Sequence, residues 1–193
     1  MTPIAVITAC VLIVGFFIWE RWSRQGAEAN SFARGAYDRG STTLLAIVFT
    51  LGFILLPGSL ALNAHGIGAT GVPQVVAWAG IGVMALGIAL RIWSSRVLGS
   101  YFTRTLRTAP EQRVVSDGPY RLVRHPGYLG DILLWTGAAC ATLNWIAFGV
   151  LTVVTLIAYG YRIRVEEAML REALGEPYRA YMARTRRLIP FIY

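Results

Sequence analysis

The chain has 193 residues, 55% of them hydrophobic, with a mean hydropathy of +0.54 and a net charge of +8. So apolar a chain leaves no room for a separate soluble core, and its basic residues flank apolar stretches instead of forming a detached tail. This argues against nucleic acid as a partner and for anionic lipid headgroups. All 18 basic residues are Arg, and the absence of Lys points to a GC-rich prokaryotic genome, hence to a bacterial-type inner membrane.

The Arg residues fall in three segments, Glu20 to Arg39, Arg91 to Arg124 and Arg162 to Arg187, between charge-free stretches at Met1 to Trp19, Gly40 to Leu90 and Ile132 to Tyr161. Lys and Arg are retained in cytoplasmic loops, so all three segments are expected to face the cytosol. A helix needs roughly 20 apolar residues to cross about 30 Å of hydrocarbon, which makes the first stretch one span. It has no basic n-region and no small-residue cleavage site before Glu20, so it reads as a permanent span and not as a secretory signal. Gly40 to Leu90 fits two spans that turn in Asn63 to Pro73. Within that turn Gly66 to Gly71 matches G-x-G-x-x-G, but no strand precedes it and the turn is expected outside the cell, so it is read as a turn and not as a nucleotide site. Gly80, Gly82 and Gly87 read as close-packing positions between helices.

Arg104 to Asp131 is polar and turn-rich and runs straight into an apolar helix. Pro126 suits the first position of that helix, whose free N–H groups make the neighbourhood of His125 and Gly127 receptive to an anion or polar ligand atoms. Gly118-Pro119 marks a turn. Taken alone, Arg121 and Arg124 read as headgroup anchors. The last charge-free stretch is divided by charge: a single span would put seven C-terminal Arg residues outside, whereas Pro126 to Leu143 and Trp145 to Arg162, turning at Asn144, return the chain to the cytosol. Each measures about 27 Å. The last helix is expected to continue until Gly175 and Pro177, with Arg162 and Glu166 on one face. Cys10 and Cys140 read as core residues, and nothing suggests a metal site. The predicted architecture is a single all-α integral membrane domain, residues 1–193, of five transmembrane helices. Residues 1–93 supply three helices. Residues 94–193 supply a loop, a transmembrane helical hairpin and a cytosolic helical extension, with no Rossmann domain.

The run Gly118-Pro119-Tyr120-Arg121-Leu122-Val123-Arg124-His125-Pro126-Gly127-Tyr128-Leu129-Gly130 resembles the G-x-Y-x-x-x-R-H-P-x-Y-x-G signature of the isoprenylcysteine carboxyl methyltransferase family. Arg162-x-x-x-Glu166-Glu167, Leu174-Gly175-Glu176-x-Tyr178-x-x-Tyr181 and the Arg187 to Pro190 ending resemble that family's C-terminal pattern. The resemblance covers about the last half of the chain. It implies an S-adenosylmethionine-dependent membrane methyltransferase whose cofactor contacts are Gln112, Arg113, Val114, Val115, Tyr120, His125, Pro126, Gly127, Tyr128 and Glu166. This chain carries Gln112 where the family often has His, and Thr105 falls near the same pocket. Arg162 and Glu166 are the implied catalytic pair, with Arg162 binding the carboxylate of a lipophilic small-molecule or prenylated acceptor that enters from the membrane.

An ionised carboxylate needs no general base to attack a sulfonium methyl group, so catalysis reduces to alignment in a dry pocket. Arg162 suits that task because its planar fork grips a carboxylate and stays charged. His125, just before a helix-starting Pro, reads as a structural or cofactor contact and not as a base. An NADPH-dependent reductase of the sterol type shares a similar R-H-P-x-Y-x-G arrangement and stands as the alternative. A non-catalytic membrane protein leaves the clustered polar residues unexplained.

Overall fold

A computed structural model of the chain describes residues 2–23, 37–101 and 113–189. Among these, six α-helices form: α1 Thr2–Ser23, α2 Ser41–Ala64, α3 Val75–Leu98, α4 Pro126–Cys140, α5 Trp145–Leu174 and α6 Glu176–Arg184. Short 3-10 turns occupy Gly99–Tyr101 and Gly118–Arg121. The apolar runs fold as helices because a helix satisfies every backbone N–H and C=O within itself, the condition that hydrocarbon imposes. Four of them, α1, α2, α3 and α5, are long and apolar enough to cross a membrane.

The fourth predicted span falls on α4, which has only 15 residues and rises about 22 Å. It ends at Cys140, where Leu143 was expected, because Leu143 adopts a left-handed conformation with φ 50°. Even so, α4 runs from one end of the bundle to the other. Asp131 in its second turn lies 3.3 Å from Arg91, which lies 3.2 Å from Glu20, while Thr142 just past its end accepts a bond from Asn63 at 2.8 Å.

Glycine lets α3 and α4 touch backbone to backbone. A Cβ on Gly80 would sit 2.7 Å from the Gly137 carbonyl, and one on Gly87 2.5 Å from the Gly130 carbonyl. Gly82, expected to share this role, faces open space. The other large core element is Trp135, ringed by Phe17, Phe49 and Phe53 and seated against Gly52, where a Cβ would fall inside the indole.

At the Asn144 end the turns clasp one another through neutral hydrogen bonds. Asn144 Oδ1 accepts from Ile146 N at 3.1 Å and Ala147 N at 3.0 Å, capping α5, and its Nδ2 donates to Asn63 Oδ1 at 2.7 Å and the Ile67 carbonyl at 2.9 Å. Thr70 N donates to the Leu143 carbonyl and Trp145 N to the Gly68 carbonyl. The G-x-G-x-x-G run is therefore half of this clasp: Gly66 and Gly68 take positive φ, and a side chain on Gly68 would strike Asn144.

Candidate active site

The R-H-P turn is held in place by the C-terminal segment. After Tyr120 is buried in the 3-10 turn, residues 123–125 pair with residues 186–187: Arg124 N donates to the Arg186 carbonyl at 2.7 Å and His125 N to the Arg187 carbonyl at 3.0 Å. Tyr181 of α6 donates its hydroxyl to the Tyr120 carbonyl at 2.7 Å. Pro126 then opens α4 as its first residue.

Glu167 lies at the centre of this turn, with only 2% of its side chain exposed. Its Oε1 accepts from Arg124 Nε at 2.9 Å and its Oε2 from Arg187 Nη2 at 2.9 Å and Nε at 3.0 Å. Arg124 also donates to the Met182 and Thr185 carbonyls. Arg124 is thus a buried ion-pair partner, contrary to the headgroup-anchor reading, because Glu167 meets it from 43 residues away. Arg121 is exposed, as that reading has it.

His125 is buried between two carboxylates. Nε2 lies 3.4 Å from Glu167 Oε1 and Nδ1 lies 3.4 Å from Glu166 Oε2. Burial alone would lower its pKa, but the two carboxylates outweigh burial and raise it above 6.5. Its ring stacks on Tyr128, with centroids 5.5 Å apart and 6° between planes. Glu166 Oε2, although buried, makes no hydrogen bond among the described residues, since His125 approaches it without the necessary alignment.

Arg162 is only 2% exposed. It lies well inside the bundle, and with Glu166, one turn further along α5, it lines the cavity described below. Nε donates to Tyr128 Oη at 3.0 Å, Nη1 donates to Ser41 Oγ at 3.0 Å and Thr42 Oγ1 at 3.5 Å, and Asp38 Oδ1 is 3.9 Å away. Asp38, Ser41 and Thr42 were not singled out by sequence reasoning, although Asp three residues before Ser-Thr at a helix start is a capping pattern. The Glu20–Arg91–Asp131 cluster was also missed. Its signal was present, because each residue is the charge that bounds an apolar stretch, and such residues pair inside a bundle.

These groups enclose a cavity of about 410 Å³. Of the predicted site residues, Arg113, Val114, Val115, Tyr120, His125, Gly127, Tyr128, Arg162 and Glu166 line it. Pro126 is buried beside the cavity and does not line it. Gln112 and Thr105 lie outside the described residues, as does Pro190. Apolar residues line it as well, among them Phe17 of α1 and Leu45, Ala46, Phe49 and Phe53 of α2, with Thr42 beside Arg162.

A bundle of membrane-length helices that encloses a polar, charged pocket at one end and lines it with apolar helix faces defines an integral membrane enzyme. Residues 75–177 match the phospholipid methyltransferase family, and the chain belongs to that family. It is a membrane methyltransferase. The match sets aside the reductase alternative, and the likeness to isoprenylcysteine carboxyl methyltransferases extends beyond the two motifs. The chain is 28% identical over 170 residues to a probable protein-S-isoprenylcysteine O-methyltransferase of Oryza sativa subsp. indica, covering 83% of this chain and 87% of that one. It is 35% identical over 72 residues to methanethiol S-methyltransferase 1 of Bradyrhizobium diazoefficiens, covering 37% of this chain and 24% of that one. The structure of the eukaryotic intramembrane Ras methyltransferase, isoprenylcysteine carboxyl methyltransferase, shares the fold with a TM-score of 0.59 at 24% identity over 83% of this chain. The chain spans 55% of the length of that solved protein.

Proposed function

We propose that the chain methylates the carboxylate of a lipophilic acceptor of the isoprenylcysteine type, with S-adenosylmethionine as donor. The observation that carries this reading is the single cavity that Arg162 and Glu166 line together with polar and apolar residues. The polar lining suits the donor: Glu166 Oε2 and the Tyr178 hydroxyl, buried without a hydrogen bond among the described residues, are groups that a polar, ammonium-bearing ligand would satisfy. Tyr120, His125, Gly127, Tyr128 and Glu166 would hold it. When bound, S-adenosylmethionine supplies a methyl group on a sulfonium centre. Arg162, fixed by Tyr128 and Ser41, orients the acceptor's carboxylate, and the Phe17, Phe49 and Phe53 wall receives its hydrocarbon part while excluding water.

The reading extends to five membrane crossings, α4 included, with both motifs on the cytosolic side, since every Arg falls in alternate segments. Reporter fusions after His65 and after Asn144 are expected outside and a C-terminal fusion inside; a C-terminus found outside would overturn that topology. The function is tested by calorimetric titration of the detergent-solubilised protein with S-adenosylhomocysteine and with NADPH, followed by methyl transfer to an S-prenylcysteine. Binding of S-adenosylhomocysteine alone is expected. NADPH binding, or no methyl ester on the prenylcysteine, would reject the proposal.

A further inference from the structure

Methyl transfer to a carboxylate moves no proton. An oxygen lone pair forms the new O–C bond, the donor sulfur keeps the electrons of the broken S–C bond, and the acceptor's reactivity depends on the cation beside it. A guanidinium that grips the carboxylate too tightly damps the nucleophile that it orients.

Five observations show how Arg162 is held. Asp38 is 1% exposed and projects into the base of the bundle from the turn before α2. Ser41 Oγ and Thr42 Oγ1 both donate to Asp38 Oδ1, at 2.9 and 2.6 Å, so each spends its only proton there and turns its lone pairs to Arg162 Nη1. Asp38 Oδ2 is buried without a hydrogen bond among the described residues. The turn itself is clamped to α5 at two points: Tyr37 Oη donates to Glu172 at 3.1 Å, and Tyr161 Oη donates to the Arg39 carbonyl at 2.9 Å. Two consecutive residues there, Arg39 and Gly40, have left-handed φ of 43° and 83°, a conformation that costs energy at Arg39 and is imposed by its surroundings.

Helix capping explains only part of this. Asp38 Oδ1 does accept Thr42 N at 3.1 Å, but a cap needs neither burial of the second oxygen nor a guanidinium behind the hydroxyls. We propose that Asp38 is a positioning residue for Arg162: through Ser41 and Thr42 it fixes the guanidinium, and by sharing its charge it lets the acceptor carboxylate be oriented without being quenched. This rests on the reading of Arg162 as the acceptor's anchor. It also gives the N-terminal helices, which carry no recognisable motif, a part in the chemistry.

The test is Asp38→Asn, which keeps the shape and the capping oxygen but removes the charge. With an S-prenylcysteine as acceptor, its KM is expected to fall and kcat to fall with it, each by about 3- to 10-fold, as an undiluted Arg162 binds the ground state more tightly. Affinity for S-adenosylhomocysteine is expected to stay at the parent value. Unchanged KM and kcat, or parallel loss of S-adenosylhomocysteine binding, would overturn the role. Should Asp38→Asn fail to fold, Thr42→Val carries the test with the same expected split, Thr42→Ser restoring the parent kinetics; no split overturns it. Arg162→Lys in the same assay separates the two readings. If it is silent, the anchor reading itself falls. If it is impaired while Asp38→Asn is silent, only the Asp38 role falls.

Discussion

The two ends of the bundle are fastened by different chemistry. At the Asn144 end the contacts described are neutral: an amide bridging Asn63, Ile67 and the first turn of α5, with backbone bonds from Thr70 and Trp145. At the Arg162 end the fasteners are charges, with Glu167 holding Arg124 and Arg187, His125 between two carboxylates, and Arg91 between Glu20 and Asp131. Neutral hydrogen bonds hold a turn without attracting ions. Buried charges cost desolvation and are kept where a charged ligand must be recognised. On the proposed function, one end serves structure alone and the charged end serves both structure and chemistry.

The largest break in that contrast is Glu167→Ala. It strips the shared carboxylate from Arg124, Arg187 and His125, and a loss of about 3 to 5 kcal/mol is expected in a detergent melt. Glu166→Ala, whose carboxylate flanks both His125 and the cavity, is expected to cost less in the melt than Glu167→Ala and to weaken S-adenosylhomocysteine binding in calorimetry. Arg162→Lys comes next. It keeps the charge and loses the fork, so acceptor turnover should drop by roughly 10- to 150-fold, on the order of 1.5 to 3 kcal/mol, with donor affinity held.

At the other end, Asn144→Ala removes a helix cap and two cross-links. A cost of about 1 to 2 kcal/mol is expected, independent of salt, with turnover per folded molecule unchanged. A salt-dependent loss would contradict the neutral character of that end. The smallest effect is one of pH. His125 has a pKa raised above 6.5, so its stabilising contribution is complete below pH 6.5 and is lost as pH rises through the higher folded value. Melting temperature should decline upward from about pH 6.5, and His125→Gln should flatten the slope.

The sequence carried the helices well where the signal is local. Arg-free stretches located α1, α2 and α3, although α1 and α3 run on past them to Ser23 and Leu98, and the breaker at Gly175 placed the end of α5 at Leu174. The motif residues that line the cavity were legible for the same reason, since Tyr120 to Tyr128 and Arg162 to Glu166 are short runs with fixed spacing. What failed was long-range. Arg124 looked like an anchor because its partner Glu167 is remote in sequence, and Leu143 was placed in a helix because its turn is dictated by Asn63 and Asn144 packing from two hairpins. Asp38 escaped notice because its importance comes from Arg162, more than a hundred residues away.

The uninterrupted α5 makes the protein a ruler. It is fastened at Asn144 on one side of the bundle and rises about 45 Å over 30 residues, against some 30 Å of hydrocarbon. Arg162 sits about 26 Å along it, which on the proposed topology brings it near the cytosolic headgroups. Longer acyl chains would raise the headgroup plane past Arg162 and shorter ones would drop it below, so the same enzyme would meet its acceptor at a different depth in each bilayer. If Arg162 holds the acceptor as proposed, lipid thickness becomes a dial on turnover that no residue of the site has to sense.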